Sequence, residues 1–178
     1  NRAYGRNGHG AVMGSKRLRA IAVRGHQALP LAHREKVREV AKWLADNYKV
    51  LSAGMTANGT PDGLPGLNER GILPTRNFQE GQFEGYMDIA GQTMTDTILV
   101  GRDNCSFCPI NCKRQVKVGP PYNVDPVYGG PEYETIAALG SCCGVNNLKA
   151  IAKGNQICNA YGLDTIAVGN SIAFAMEC

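Results

Sequence analysis

The sequence predicts a mainly α-helical fold with a short β segment near the start of the chain. Capping residues signal two of the helices: Asn147 precedes residues 148–161, and Asp164 precedes a further apolar stretch. A third helix is predicted over residues 33–51, where apolar side chains recur at the spacing of one helical face. These three segments carry the helical prediction.

The first 25 residues combine a glycine-rich loop with the predicted strand. Residues 5–14 (Gly-Arg-Asn-Gly-His-Gly-Ala-Val-Met-Gly) form the loop, and residues 18–24 (Leu-Arg-Ala-Ile-Ala-Val-Arg) predict the strand. Glycines allow a backbone to approach a ligand closely, and N–H groups beside arginine suit a phosphate. The loop lacks the residue order of a nucleotide-binding P-loop. A structural turn is an equally good interpretation of it.

The middle of the chain alternates between helical and irregular segments. The stripe over residues 33–51 is interpreted as ordinary core. Residues 52–86 are rich in Gly, Pro, Asn and Thr, which predicts an irregular loop. Residues 87–100 predict a short helix, and a loop that carries three cysteines follows it.

The last third of the chain predicts successive helices. Pro131 followed by two glutamates suits a first helical turn, because proline fits that position and carboxylates favour the positive helix end. Gly140 can end this helix. The helix over residues 148–161 ends at Gly162, which can adopt the left-handed conformation of a helix stop.

Length and composition indicate a chain that can bury a core. It has 178 residues, of which 43% are hydrophobic. It contains neither a run of eighteen apolar residues nor a signal peptide, so we expect no membrane insertion and no export. Seven cysteines without an obvious pairing pattern indicate a reducing compartment, the cytoplasm.

The charge distribution argues against nucleic acid as a partner. The net charge is +4, and the basic residues cluster in the first 25 positions. Only Tyr4 could stack on a base within this stretch. Phosphate binding or plain solvation is therefore preferred for this cluster.

A cysteine triplet is the strongest functional signal. Three cysteines follow the spacing C-x2-C-x3-C within eight residues: Cys105, Cys108 and Cys112. Such short spacing lets three thiolates converge on one metal centre, and a [4Fe–4S] cluster needs four. Zinc is the alternative, but zinc sites usually show a second ligand pair, and none follows downstream. All three histidines lie far upstream: His9, His26 and His33.

Four ordered motifs resemble the aldehyde ferredoxin oxidoreductase family. They are Gly-Arg-x-Gly-x-Gly-Ala-Val-Met-Gly-Ser-Lys at 5–16, the cysteine triplet, Gly-Pro-Glu-Tyr-Glu-Thr at 130–135 and Tyr-Gly-Leu-Asp-Thr at 161–165. The resemblance implies a tungsten or molybdenum bis-pterin cofactor and a [4Fe–4S] cluster, with magnesium as a further candidate metal. It also implies a multihelical second domain of that family's type.

The resemblance further implies where the chain falls within the family's fold. Residues 1–28 would form the end of an N-terminal pterin-binding base domain that is rich in β structure. Residues 29–178 would form a helical domain that binds cluster and pterin and is incomplete at its C-terminus. The chain starts without methionine and stops within an apolar helical pattern, so we expect it to be a fragment.

By the same resemblance, several residues acquire cofactor roles. The expected pterin contacts are Arg2, Ala3, Gly5, Asn159, Leu163 and Asp164. Asn159 stands where the family has aspartate, so this contact keeps an acceptor but loses a charge. The cysteine triplet would supply three cluster ligands, with the fourth outside the chain. Cys142 and Cys143 are the local rivals for the fourth position, and we expect them to be core residues.

The resemblance assigns catalysis to Glu134, the second carboxylate of the Glu-Tyr-Glu run. Oxidation of an aldehyde needs water delivered to the carbonyl carbon and a proton removed, which suits a buried carboxylate with a raised pKa. Glu132 is the alternative acid/base group. Lys153 occupies the position where some members bind a bridging iron, and lysine is a poor ligand for it, so we do not expect that site.

The expected function is oxidation of aldehydes to carboxylic acids, with electrons passed through the [4Fe–4S] cluster to a ferredoxin-like acceptor. A small carbonyl compound would be the substrate, and a homodimer or further electron-transfer subunits are the candidate assemblies. A reductase of aromatic acyl-CoA thioesters is the alternative on the same scaffold. A non-catalytic iron–sulfur or zinc module is the alternative from another class.

Overall fold

The computed structural model describes residues 6–178, and their regular structure is mainly helical, which confirms the predicted fold class. The α-helices in this part of the chain are α1 (His9–Ser15), α2 (Arg34–Leu51), α3 (Ala53–Asn58), α4 (Leu64–Glu69), α5 (Gly91–Thr97), α6 (Tyr133–Leu139), α7 (Leu148–Tyr161) and α8 (Thr165–Glu177). Short 3-10 turns lie at Arg6–Gly8, Thr60–Gly63, Tyr86–Ile89, Pro126–Tyr128 and Ser141–Cys143. Two strands form a hairpin, β1 (Leu99–Asp103) and β2 (Lys113–Val116).

The N-terminal segment differs from its prediction in two respects. Most of the predicted glycine-rich loop is helix α1, which starts after Gly8, a residue with a φ of 72°. Residues 18–24 are not a strand but lack regular structure and are exposed. A strand requires a neighbouring strand for its hydrogen bonds, and the strand and bridge pairings of residues 6–178 lie elsewhere.

Helix α2 forms as predicted, but it contributes no buried residue. Its apolar stripe remains exposed, and even the Trp43 side chain is 55% exposed. The assignment of this stripe to the core is therefore wrong for the residues that the structure describes. The helix spacing is encoded locally, whereas burial requires a covering element that residues 6–178 do not supply.

The segment predicted as one long irregular loop contains two short helices, α3 and α4. Tertiary contacts stabilise them, since six-residue helices are too short to be stable alone. Leu64 is completely buried, and the buried Asn68 side chain accepts a hydrogen bond from the Phe83 N–H at 2.7 Å. This packing overrides the Gly- and Pro-rich composition.

Helices α7 and α8 begin after the predicted capping residues, and α7 ends where the sequence predicts. Asn147 Oδ1 accepts from the Ala150 N–H at 3.1 Å, and α7 ends at Gly162 with a φ of 72°. Asp164 Oδ1 accepts from the Ile166 N–H at 3.2 Å and caps α8. Helix α6 ends at Gly140 as predicted, but it begins at Tyr133 with Glu132 as its N-cap, so Pro131 lies just before the helix and not in its first turn. These local signals agree with the tertiary structure.

The core lies between α6, α7, α5 and the hairpin. Its buried apolar side chains come from all parts of residues 64–152: Leu64, Leu73, Phe83, Ile89, Met94, Ile98, Val116, Val118, Val124, Ile136, Ala137, Leu148, Ile151 and Ala152. Helix α8 packs against α6 on the other side. Among the described residues, no helix is long and apolar enough to cross a membrane.

The antiparallel hairpin positions the cysteines. Its register pairs Arg102 with Arg114 and Asp103 with Lys113. Residues 104–112 join the two strands and contain the whole triplet; we call this connection the cysteine loop. On β2 the side chains alternate, so that Arg114 and Val116 are buried while their neighbours are half-exposed.

Candidate metal centre

The cysteine loop holds its three cysteines in a tight turn. The Cys108 N–H donates to the Cys105 carbonyl at 3.0 Å. Asn104 Nδ2 donates to the Cys108 carbonyl at 3.1 Å, which ties the start of the loop to its middle. Phe107, with a φ of 60°, lies fully exposed between the first two cysteines. The hydrogen bonds fix the backbone of the loop without help from a disulfide, since all three cysteines are free.

The three thiols lie close enough to influence one another electrostatically. Burial raises the pKa of the Cys112 thiol, and the charges of Glu132, Cys108 and Cys105 raise it further. Within residues 6–178, however, no three His, Cys, Asp or Glu side chains are arranged closely enough to hold a metal ion. The three cysteines thus lie on one loop, but their side chains do not form a complete metal-binding site in the described residues.

The donor chemistry of the loop fits an iron–sulfur cluster. Soft thiolates are the ligands that iron–sulfur clusters require, and three of them come from one short loop. Cys105 is exposed and Cys108 and Cys112 are half-buried, so none of the three is fully enclosed by the described residues. The resident cluster would be held there, with a fourth ligand from another segment.

Cys142 and Cys143 are core residues, as predicted. Both are buried, and they pack with Ala173. Cys143 Sγ donates to the carbonyls of Ala138 at 3.3 Å and Gly169 at 3.5 Å. Burial raises the pKa of each thiol, which disfavours the thiolate that metal binding requires.

A buried arginine lies beneath the cysteine loop. The Arg114 side chain is only 1% exposed and donates to carbonyls of the loop and of α3. Its Nε donates to Cys112 O at 3.0 Å and its Nη2 to Asn111 O. Its Nη1 donates to Ala57 O at 2.8 Å and its Nη2 to Thr56 O at 3.3 Å. Arg114 thereby joins the end of the loop to the last turn of α3.

Two glycines lie against Arg114, and a side chain on either would come too close to it. A Cβ on Gly59 would lie 3.0 Å from Cys112 O and 3.1 Å from Arg114 Nε, and Gly59 also has a φ of 77°. A Cβ on Gly130 would lie 2.8 Å from Arg114 Cβ. The guanidinium is therefore enclosed by backbone that approaches closely because it lacks side chains.

The two candidate carboxylates face different surroundings. Glu132 Oε2 accepts from Thr60 Oγ1 at 2.6 Å, and this hydroxyl in turn accepts from the Tyr133 N–H at 2.9 Å. The charge of Glu132 acts on Cys112 and Arg114. Glu134 is exposed, and its charge acts on Tyr133 and Cys142. Glu134 was expected to be buried, and the described residues leave it exposed.

The predicted pterin contacts fall into two groups. Arg2, Ala3 and Gly5 lie outside the described residues. The others lie together at the α7–α8 connection: Asn159, Leu163 and Asp164. The side chain of the first donates to Tyr128 O at 3.1 Å, and the carboxylate of the last serves as the cap of α8.

Sequence reasoning missed Arg114 and Thr60. Arg114 lies two residues after Cys112, and strand alternation with the apolar Val116 is the signal that predicts its inward direction. Thr60 lies in the segment predicted as a loop, and its contact with Glu132 spans 72 positions of sequence. No local pattern announces a contact of that separation.

Comparison with known proteins agrees with these features. Residues 35–178 match the family profile described as aldehyde ferredoxin oxidoreductase, domains 2 and 3. The chain is 44% identical over 184 residues to a tungsten-containing aldehyde ferredoxin oxidoreductase of Thermococcus kodakarensis, covering 99% of the chain and 29% of that relative. It is 41% identical over 183 residues to the protein of the same name from Pyrococcus abyssi, with the same coverage.

A more distant relative carries a different name. The chain is 29% identical over 181 residues to an aliphatic sulfonate oxidoreductase, WOR-like subunit, of Pyrococcus furiosus, covering 98% of the chain and 28% of that relative. The chain thus spans less than a third of the length of the curated relatives it matches. By its profile match, its ordered motifs and its helical fold, the chain belongs to the aldehyde ferredoxin oxidoreductase family.

Proposed function

We propose that this chain is part of a tungsten-pterin oxidoreductase that oxidises aldehydes to carboxylic acids and delivers electrons to a ferredoxin-like acceptor. The observation that carries the proposal is the cysteine loop, with three free thiols on one hairpin connection. The likeness to proteins named tungsten-containing aldehyde ferredoxin oxidoreductase supports the choice of reaction. Free cysteines throughout the described chain suit the cytoplasm.

Cys105, Cys108 and Cys112 would hold three corners of a [4Fe–4S] cluster, and a further thiolate from elsewhere in the full protein would hold the fourth. The loop itself orients them, because its backbone hydrogen bonds fix the turn between Cys105 and Cys108. When bound, the pterin metal and the cluster supply the redox chemistry, and the protein supplies orientation and electrostatics.

Asn159, Leu163 and Asp164 would contact the pterin from the α7–α8 connection, together with Arg2, Ala3 and Gly5 near the N-terminus. Asn159 Nδ2 donates to Tyr128 O and to Asn155 Oδ1, which leaves its carbonyl oxygen to orient a ligand. In this proposal residues 1–28 belong to the base domain and residues 29–178 to the helical domain.

Glu134 would act as the acid/base group. Aldehyde oxidation takes one oxygen from water and releases two protons and two electrons, so a carboxylate near the substrate can accept one of the protons. Glu134 is free of hydrogen bonds to other side chains in the described structure, whereas Glu132 already accepts from Thr60. This difference favours Glu134 for proton transfer and Glu132 for a structural role.

Metal analysis and a substrate panel test the proposal. The full-length protein, purified without oxygen, should contain tungsten and about four irons per chain. It should also reduce a ferredoxin with an aldehyde as donor. Zinc without iron or tungsten would contradict the proposal. If the protein reduces an aromatic acyl-CoA thioester and does not oxidise aldehydes, the proposed reaction is wrong but the proposed cofactors still stand.

A further inference from the structure

Arg114 is a buried charge without an ion-pair partner. Its side chain is 1% exposed, and within residues 6–178 no carboxylate oxygen lies within the 4.0 Å of a salt bridge. Its four hydrogen bonds all go to backbone carbonyls. Carbonyl dipoles solvate a guanidinium but do not neutralise it, and buried charges are normally paired.

A second arginine adds positive charge at the same place. The hairpin register sets Arg102 directly opposite Arg114, and like charges in that arrangement are unfavourable. Both guanidiniums donate to one acceptor, Ala57 O, at 3.4 Å from Arg102 Nη2 and 2.8 Å from Arg114 Nη1. Arg102 likewise has no carboxylate in salt-bridge range among the described residues. Two unneutralised cations thus converge at the base of the cysteine loop.

The natural source of the missing negative charge is the loop itself. Arg114 Nε donates to the carbonyl of Cys112 at 3.0 Å, so a thiolate at Cys112 would place its negative charge near the guanidinium. Glu132 forms no ion pair with Arg114 in the described residues, and its Oε2 accepts a hydrogen bond from Thr60 Oγ1. An iron–sulfur cluster held by thiolates would place net negative charge beside both arginines.

We propose that Arg114, assisted by Arg102, is the built-in counter-charge of the iron–sulfur cluster and raises its reduction potential. The inference rests on the proposed function, in which the cysteine loop holds that cluster. Reduction adds one electron and makes the cluster more negative, so a fixed positive charge nearby stabilises the reduced form. Arg114 acts through the ligand loop and is a positioning residue with an electrostatic effect.

The competing explanation is a purely structural one. Arg114 could serve only to cap the last turn of α3, whose terminal carbonyls lack partners within the helix. A capping role predicts that substitution weakens the fold while the potential of any assembled cluster stays unchanged. The potential therefore separates the two explanations, and activity alone does not.

The experiment uses the full-length protein purified without oxygen. Iron is counted first, and the cluster is then titrated with dithionite as electron donor while its reduced form is followed by electron paramagnetic resonance. The variants are Arg114→Gln, Arg114→Lys and Arg102→Gln. Arg38→Gln is the matched control, because Arg38 is an exposed arginine on α2 whose ion pair with Glu35 lies on the helix surface.

We expect Arg114→Gln to lower the equilibrium constant for reduction at least about tenfold, which is about 59 mV for one electron. Arg102→Gln should shift it in the same direction by about threefold, since Arg102 is exposed and water screens its charge. Arg114→Lys keeps the charge and should stay within about twofold of wild type. Arg38→Gln should leave the potential unchanged.

An iron-replete Arg114→Gln protein that titrates like wild type would overturn the inference and leave the proposed function standing. If Arg114→Gln fails to hold iron, Arg102→Gln decides: a downward shift supports the inference, and an unchanged potential overturns it. Wild-type protein without iron would overturn the proposed function, and the counter-charge role with it. Iron content of the wild type thus distinguishes the two failures.

Discussion

The two groups of cysteines in this chain have the same chemistry and opposite surroundings. The cysteine loop lies on a hairpin connection, with exposed or half-buried thiols and two arginines at its base. Cys142 and Cys143 lie in a 3-10 turn between α6 and α7, buried against Ala173 on α8. The comparison teaches that access and neighbouring charge decide what a thiol does, and that residue type alone does not.

Each cysteine group also has its own carboxylate. The charge of Glu132 acts on Cys112, and that of Glu134 acts on Cys142. Among residues 6–178, the buried positive charge is that of Arg114, next to the cysteine loop. The cysteine loop is therefore suited to a negatively charged cofactor, whereas Cys142 and Cys143 belong to an apolar cluster.

The largest expected effect separates the two cysteine groups directly. Cys108→Ser should remove the iron–sulfur absorbance and reduce iron from about four per chain to below about one. Much of the tungsten should stay bound, because the proposed pterin contacts lie outside the cysteine loop. Cys143→Ser is the matched control and should keep its iron. Iron loss in the control, or full absorbance in Cys108→Ser, would contradict the assignment.

The next effect concerns the carboxylates. Glu134→Gln should lower the turnover number at least about a hundredfold, because an amide cannot accept the proton. Glu132→Gln should cost less than about tenfold, since an amide can still accept a hydrogen bond from Thr60. Steady-state aldehyde oxidation measures both. A larger loss of turnover in Glu132→Gln than in Glu134→Gln would assign the acid/base role to Glu132 and the structural role to Glu134.

A smaller effect is expected in thiol labelling of protein freed of its metals. Cys105 is exposed and should react with a maleimide at least about tenfold faster than Cys142 or Cys143, which require local unfolding. Mass spectrometry of peptides after timed labelling gives the individual rates. Cys178, which is also exposed, serves as the internal standard. Equal rates for all four thiols would remove the distinction between loop and core.

The smallest effect is a pH dependence of stability. Burial raises the pKa of Cys142, Cys143 and Cys158 above that of an unfolded thiol, about 8.5. Below that pH the thiols are protonated in both the folded and the unfolded state, so they add no pH dependence to the free energy of unfolding. As pH rises further the unfolded state loses protons that the folded state retains, so the free energy of unfolding falls.

Urea unfolding at about pH 7.5 and about pH 9.5 tests this slope. Lysines and tyrosines titrate in part of the same range, so the informative quantity is the difference between wild type and Cys143→Ala. The variant should lose less stability on raising the pH than wild type does. An identical loss in both proteins would show that the buried thiol does not contribute.

The parts of the fold that local signals encode were predicted well. Asn147, Gly162 and Asp164 bound α7 and α8 as expected, because capping depends on residues within one turn. Helices α3 and α4 were missed, since six-residue helices in Gly- and Pro-rich sequence owe their stability to distant contacts. The same reason explains the strand wrongly predicted at residues 18–24, whose pattern is local but whose pairing is not.

The candidate site shows the same division. The triplet was visible because its spacing is local, and the core position of Cys142 and Cys143 was expected because free cysteines are often buried. Arg114 was not visible, because its role depends on Gly59 and on the end of α3, both more than fifty positions earlier. Sequence spacing predicted the candidate ligands but not the buried arginine beside them.

The register of the hairpin limits how this region can change in length. Arg114 faces inward because side chains alternate along β2, and Arg114 lies two residues from the buried Val116. One residue inserted within Lys113–Val116 ahead of Arg114 would turn its guanidinium toward solvent, because a shift by one reverses every side chain. Insertions among residues 104–112 leave the strand pairing intact. A residue inserted between Cys105 and Cys112 would change the spacing of the cysteines, whereas a residue inserted in β2 would change the direction of Arg114 itself.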